Sequence, residues 1–133
     1  VPQNVTSMLV AAVAVGFGGF FGAVARWGTS LGATALLGPA LPWGTLAANL
    51  IGCFLMGLLK VSFDRATGLP DGVSLGLLTG FLGAYTTFST FSLDTVNVAR
   101  NLGPRSAALY ATVSVVGGIL LCLLGVRLGG GLR

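Results

Sequence analysis

The residues GAYTTFSTFSLD, 83 to 94, carry six hydroxyl side chains, Tyr85 among them, together with two phenylalanines and one acid. They lie inside a segment that otherwise reads as membrane-spanning, where an unpaired hydroxyl or amide costs roughly 2 to 7 kcal/mol by transfer scales. Serine and threonine in membrane helices often bond back to their own backbone carbonyls. That behaviour accounts for two or three of Thr86, Thr87, Ser89, Thr90 and Ser92, but five such residues in seven positions are too dense for it to be the whole account. Gly80, Gly83 and the β-branched pair Thr86-Thr87 also weaken the helix locally. A break is therefore expected near residues 83 to 87, and at membrane depth a break is tolerated only where protein buries it or it lines a cavity.

Working outward, the chain has 133 residues, of which 54% are hydrophobic and 8% charged. Soluble domains carry about a quarter charged residues, so the composition is that of an integral membrane protein. At roughly 20 apolar residues per span, four spans at about 6–29, 43–63, 73–98 and 106–128 use nearly all of residues 1–133. The expected architecture is one all-α domain of four transmembrane helices, with no room for a soluble domain. The loop LGATALLGPALP, 31–42, is punctuated by Pro39 and Pro42, and DRATGLPDG, 64–72, supplies the clearly polar turn.

The 22 glycines fall within apolar runs, and Gly18 with Gly22 forms a GxxxG helix-contact face. A net charge of +4 does not point to nucleic acid here, because the Lys and Arg residues flank hydrophobic runs as interfacial anchors. Cys53 and Cys122 lie in apolar segments without a CxxC or any histidine, which argues against a disulfide framework and a zinc site. The first apolar run reads as a retained helix, since VPQNVTS ahead of it has no Lys or Arg and the run is long for a signal core.

Four spans put both termini on one side of the bilayer. Lys60, Arg65, Arg127 and Arg133 then fall on the terminal side, and Arg26, Arg100 and Arg105 on the other. A firmly oriented protein concentrates its positive residues on the cytoplasmic side. Four against three leaves two readings: a small sample that hides a preference, or dual topology with antiparallel subunits paired about an axis in the membrane plane.

A broken helix exposes carbonyls that suit a hard cation and amide donors that suit an anion. Acids are nearly absent from the spans, with Asp94 alone near the end of the third. Asn49, the hydroxyls and the positive ring edges of Phe88 and Phe91, which share a helix face, are donors without fixed negative charge and suit a small anion. Arg26 reads as a snorkelling anchor or as a pore-vestibule residue. Tyr110 and Ser114, four apart, either bond within the bundle or extend the polar track.

These motifs resemble the Fluc (CrcB-type) fluoride channels over essentially the whole length. The resemblance is carried by GxxxGAVARW, PWGTLAANLIG, GFLGAYTTFSTFSLDT and the Tyr110–Ser114 pair, the third being the most specific. It implies a passive channel of the cell membrane that exports toxic fluoride, built as a dual-topology antiparallel homodimer with two pores. It further implies that Phe88 and Phe91 aim ring edges at fluoride and that Asn49, Thr45, Tyr110 and Ser114 line the pathway; Arg26, near the mouth of the first span, joins them on the vestibule reading. A structural sodium ion on the dimer axis is expected to be held by the backbone carbonyls of Gly83 and Thr86. Gly118 stands where the family's second pore serine is expected, and Asp94 where a glutamate is common. A proton-coupled exporter of drug-like cations would want a carboxylate in the first two spans, which have none, and a non-transporting subunit does not explain five hydroxyls crowding two phenylalanines.

Overall fold

A computed structural model describes residues 4–131; Arg133, assigned above to the terminal side, lies outside them. Helix α1 (Val5–Leu37) starts with a capping box: the Ser7 amide donates to Asn4 Oδ1 at 2.8 Å, and the Asn4 amide donates to Ser7 Oγ at 3.3 Å. It runs further than the expected span. Residues 31–37, read from the sequence as loop, are helical, because nothing between Leu31 and Leu37 breaks a helix. Termination waits for Gly38, whose φ of 80° only glycine adopts cheaply, and for Pro39, which cannot continue a helix.

Helix α2 (Trp43–Arg65) follows Pro42. After Pro70 the third segment is assembled from pieces: α3 (Asp71–Ser74), a π-helical stretch (Leu75–Leu82) and α4 (Gly83–Tyr85), then a two-residue break, then α5 (Phe88–Leu102). Gly103, with φ of 90°, turns the chain into α6 (Pro104–Leu128). The described residues are all-helical, and α1, α2 and α6 are each long and apolar enough to cross a bilayer. The segment broken at Thr86-Thr87 falls where the sequence placed the weakness, and its interruption is confined to two residues, since Gly83 is still helical.

Glycine contacts set the helix directions. From Gly18 on α1, an added Cβ would overlap the Gly76 carbonyl oxygen, and from Gly22 it would overlap that of Phe81; a Cβ on Gly80 would lie 2.6 Å from the Val15 carbonyl oxygen. Contacts therefore advance together along α1 and the π-helical stretch, so the two run parallel. On the other side Cys53 faces Gly118, Gly57 faces the Cys122 backbone, and Gly125 faces Phe54 and Leu58, so α2 and α6 are parallel too. Backbones approach this closely only at glycine, the small-residue packing that lipid-embedded helices use. The GxxxG of α1 is thus spent inside the chain, against its own third segment.

Gly22→Ala should cost about 1 to 3 kcal/mol as an overpacked contact, whereas Gly28, with open space where its Cβ would go, should tolerate alanine at no cost or gain up to about 1 kcal/mol of helix propensity. Thermal unfolding of the two purified variants in one detergent reads the difference; equal midpoints would remove the α1 glycine contact from the fold's essentials.

Candidate functional site

The break is made by Thr86 (φ −89°, ψ 156°) and Thr87 (φ −152°, ψ 126°), both extended. An extended pair inside a helical segment strands its peptide groups, and Asn49 on α2 takes up both those of Thr87. The Thr87 amide donates to Asn49 Oδ1 at 2.8 Å, and Asn49 Nδ2 donates to the Thr87 carbonyl at 3.0 Å. One Asn49 N–H is left over, since the side-chain amide carries two. Gly52, one turn further along α2, gives Thr86 its room: a Cβ there would overlap Thr86 Cγ2.

This pairing also frees carbonyls. In a continuous helix the Thr87 amide would close a bond to the Gly83 carbonyl, and the Thr90 amide one to Thr86. Here the first goes to Asn49 and the second to Thr87 Oγ1 at 3.3 Å. Gly83 and Thr86 thus present main-chain oxygens at the break, a donor type that suits a hard cation such as sodium.

The hydroxyls divide into two groups. Thr86 and Ser92 donate to the carbonyls of Leu82 and Phe88, each at 2.9 Å. Thr87, Ser89 and Thr90 gather at the N-terminus of α5: Thr87 Oγ1 donates to Thr90 Oγ1 at 3.1 Å and lies 3.3 Å from Ser89 Oγ. Two of the five therefore back-bond, within the expected two or three, while Thr87 caps α5 and its hydroxyl meets those of Ser89 and Thr90. The Ser114 hydroxyl likewise donates to the Tyr110 carbonyl at 2.8 Å.

A groove of about 460 Å³ opens beside the break, and Asn49, Gly83, Thr86, Phe88, Phe91 and Ser114 all line it. The Phe88 and Phe91 rings sit 5.7 Å apart at a 44° tilt, with Phe88 78% exposed. Thr45 and Arg26 are elsewhere: they share a recess of about 200 Å³ with Ser30, Thr90 and Thr87. Thr87 lines both spaces, so the break stands between them. Tyr110 does not line the groove; it is buried against Phe91, ring centroids 5.8 Å apart.

Two participants escaped the sequence reading. One is the Thr87 backbone, which no side-chain pattern announces. The other is Cys53, which lines the groove; its spacing of four from Asn49, itself four from Thr45, puts the three on one stripe of α2 and was a usable signal.

The fold defines a multi-pass helical membrane protein with a groove beside a broken helix. Residues 13–126 match the family described as CrcB-like protein, Camphor Resistance (CrcB), and the chain belongs to that family. It is 46% identical over 115 residues to a Fluoride-specific ion channel FluC of Magnetococcus marinus, covering 86% of this chain and 90% of the relative. A protein of the same name from Variovorax paradoxus is 42% identical over 120 residues, 90% of this chain and 94% of the relative. Fluoride-specific ion channel FluC 1 of Bacillus cereus is 39% identical over 117 residues, with 88% and 81% covered.

Asn49→Ala should leave both Thr87 peptide groups without partners, a loss of about 1 to 3 kcal/mol for each buried group. Deuterium exchange of the peptide containing Thr87 should rise at least tenfold in this variant, while peptides from α6 stay unchanged. Unaltered exchange at Thr87 would show that the break holds itself.

Proposed function

We propose that the chain forms a passive fluoride-selective channel, with the pathway running along the groove and past the break to the Arg26–Thr45 recess. The observation that carries this reading is the donor set around the groove. Asn49, with one N–H beyond those the break uses, Phe88, Phe91 and Ser114 line one space with no acid among its lining residues. Such a set favours a small anion over a cation. The names of the relatives supply which anion. Fluoride enters cells as its neutral weak acid and dissociates inside, so a channel needs no energy source to let it out, and no nucleotide-binding motif is present.

The working unit in this reading is an antiparallel homodimer with two pores. Support comes from the near-even division of Lys and Arg between the two sides, and from Phe88, whose exposed ring projects from the groove where a second copy can meet it. Tyr110, buried behind Phe91, enters the pathway as a support for that ring. Thr45 and Arg26 draw fluoride toward the break from the opposite mouth. A structural sodium ion on the dimer axis, held by the Gly83 and Thr86 carbonyls of both copies, would supply positive charge that fixes the break. Asp94, on the side of α5 with Asn97 and Asn101, stays outside the groove.

Purified protein in liposomes should release fluoride rapidly and chloride at least a hundredfold more slowly, as followed with ion-selective electrodes. Phe91→Ile or Phe88→Ile should cut fluoride release tenfold or more; an unchanged rate would take the rings out of the mechanism. Preparing the protein with a bulky organic cation in place of sodium should likewise lower release, and indifference to the exchange would count against the sodium site.

A further inference from the structure

We infer that the Cys53 thiol is a pathway residue, supplying from α2 the polar group that α6 lacks at Gly118; the inference rests on the fluoride pathway proposed above. Two stripes face each other across the parallel pair α2 and α6. On α2, Thr45, Asn49 and Cys53 follow at intervals of four, and on α6 so do Tyr110, Ser114, Gly118 and Cys122. Residues four apart on a helix stand one above another on the same face. Asn49, Ser114, Cys53, Gly118 and Cys122 all line the groove, so the stripes form a continuous wall.

Along that wall Gly118 is a gap in the α6 stripe, one turn past Ser114. The gap is occupied from the other side: a Cβ built on Gly118 would lie 3.2 Å from Cys53 Sγ. That is tighter than ordinary packing, so a side chain at 118 would press on the Cys53 thiol and the two positions draw on one volume. The occupant is a half-buried free thiol, a weak S–H donor where the neighbouring turn offers an Asn amide and a Ser hydroxyl. A polar hydrogen one turn from Asn49, in the same groove, extends the line of donors along α2. Cys122, a further turn along α6, packs its backbone against Gly57.

The test uses the purified full chain in liposomes, with fluoride release measured by electrode before and after treatment with methyl methanethiosulfonate and thiol modification counted by mass spectrometry. Cys53→Ala should slow release about fivefold, the scale of one modest hydrogen bond, and Cys53→Ser should stay within about twofold of wild type on the same scale. The double variant Cys53→Ala, Gly118→Ser, which moves the donor onto α6, should recover the wild-type rate. The reagent should slow wild type and Cys122→Ser but not Cys53→Ser. Release by Cys53→Ala at the wild-type rate, or complete modification of Cys53 without slowing, overturns the inference and leaves the channel reading intact. Should Cys53→Ala not fold, the serine variant and the reagent on wild type decide the matter alone. Absence of fluoride release from untreated wild type overturns the channel reading itself, and this inference with it.

Discussion

Everything near the groove depends on one side chain meeting one peptide unit. In hydrocarbon a backbone amide that leaves the helical ladder has no water to turn to, so a broken helix persists only where protein replaces the lost bonds. Asn49 replaces two of them at once, at 2.8 and 3.0 Å. The consequence reaches both ways along the chain. The start of α5 is pinned to α2, which fixes where Phe88 and Phe91 stand; and the Gly83 and Thr86 carbonyls are deprived of their usual amides. The Thr87 hydroxyl completes the arrangement by capping α5, so its side chain and its backbone do separate jobs.

A pin of this kind works only if the elements it joins are themselves held. Lipid tails are as apolar as leucine, so helices in a bilayer associate through close packing rather than through the exclusion of water. Here the close packing is arranged as two parallel pairs, α1 with the first half of the third segment and α2 with α6, each built on glycines that face a neighbouring backbone. The second half of the third segment, α5, lies instead against α6. The break is the place where the third segment passes from one pair to the other. Tyr85 secures the near side, its hydroxyl 3.0 Å from Thr29 Oγ1 on α1 and its ring stacked on Phe81, and Asn49 secures the far side. The groove and the recess open beside this junction.

What the sequence made legible followed from strong local rules. Composition and run length gave four apolar segments, the Gly and Thr cluster gave the break, and spacing put Phe88 beside Phe91. Pro39 and Pro42 mark a loop in the sequence without marking where it starts, and α1 runs on to Leu37 because the residue that ends it is Gly38. The π-helical stretch from Leu75 to Leu82 has no compositional signature distinct from an α-helix. The cap role of Thr87 is visible only once the helix is known to restart at Phe88. Asn49 was singled out as a donor to an anion, yet its first obligation is to the Thr87 backbone, a partner 38 positions away that no local pattern names. Cys53 was set aside because a thiol suggested disulfides and zinc, and neither is the question its position on the α2 stripe poses.

The donor account bears on how a pathway of this composition could discriminate among anions. Ser114, Thr86 and Ser92 each have their hydroxyl hydrogen on a backbone carbonyl, so none is free until it rotates away. A neutral internal hydrogen bond is worth about 0.5 to 1.5 kcal/mol net, and one to an ionised acceptor is roughly twice as strong. Exchange therefore favours an anion whose charge is concentrated enough to draw the hydrogen fully, and it fails for a large, diffuse one that returns less than the carbonyl gave. Ring edges discriminate in the same direction, because their positive potential is shallow and short-ranged. In the proposed pathway the Asn49 N–H left over from the break needs no such exchange, so the residue that holds the break open also offers fluoride a ready donor beside it.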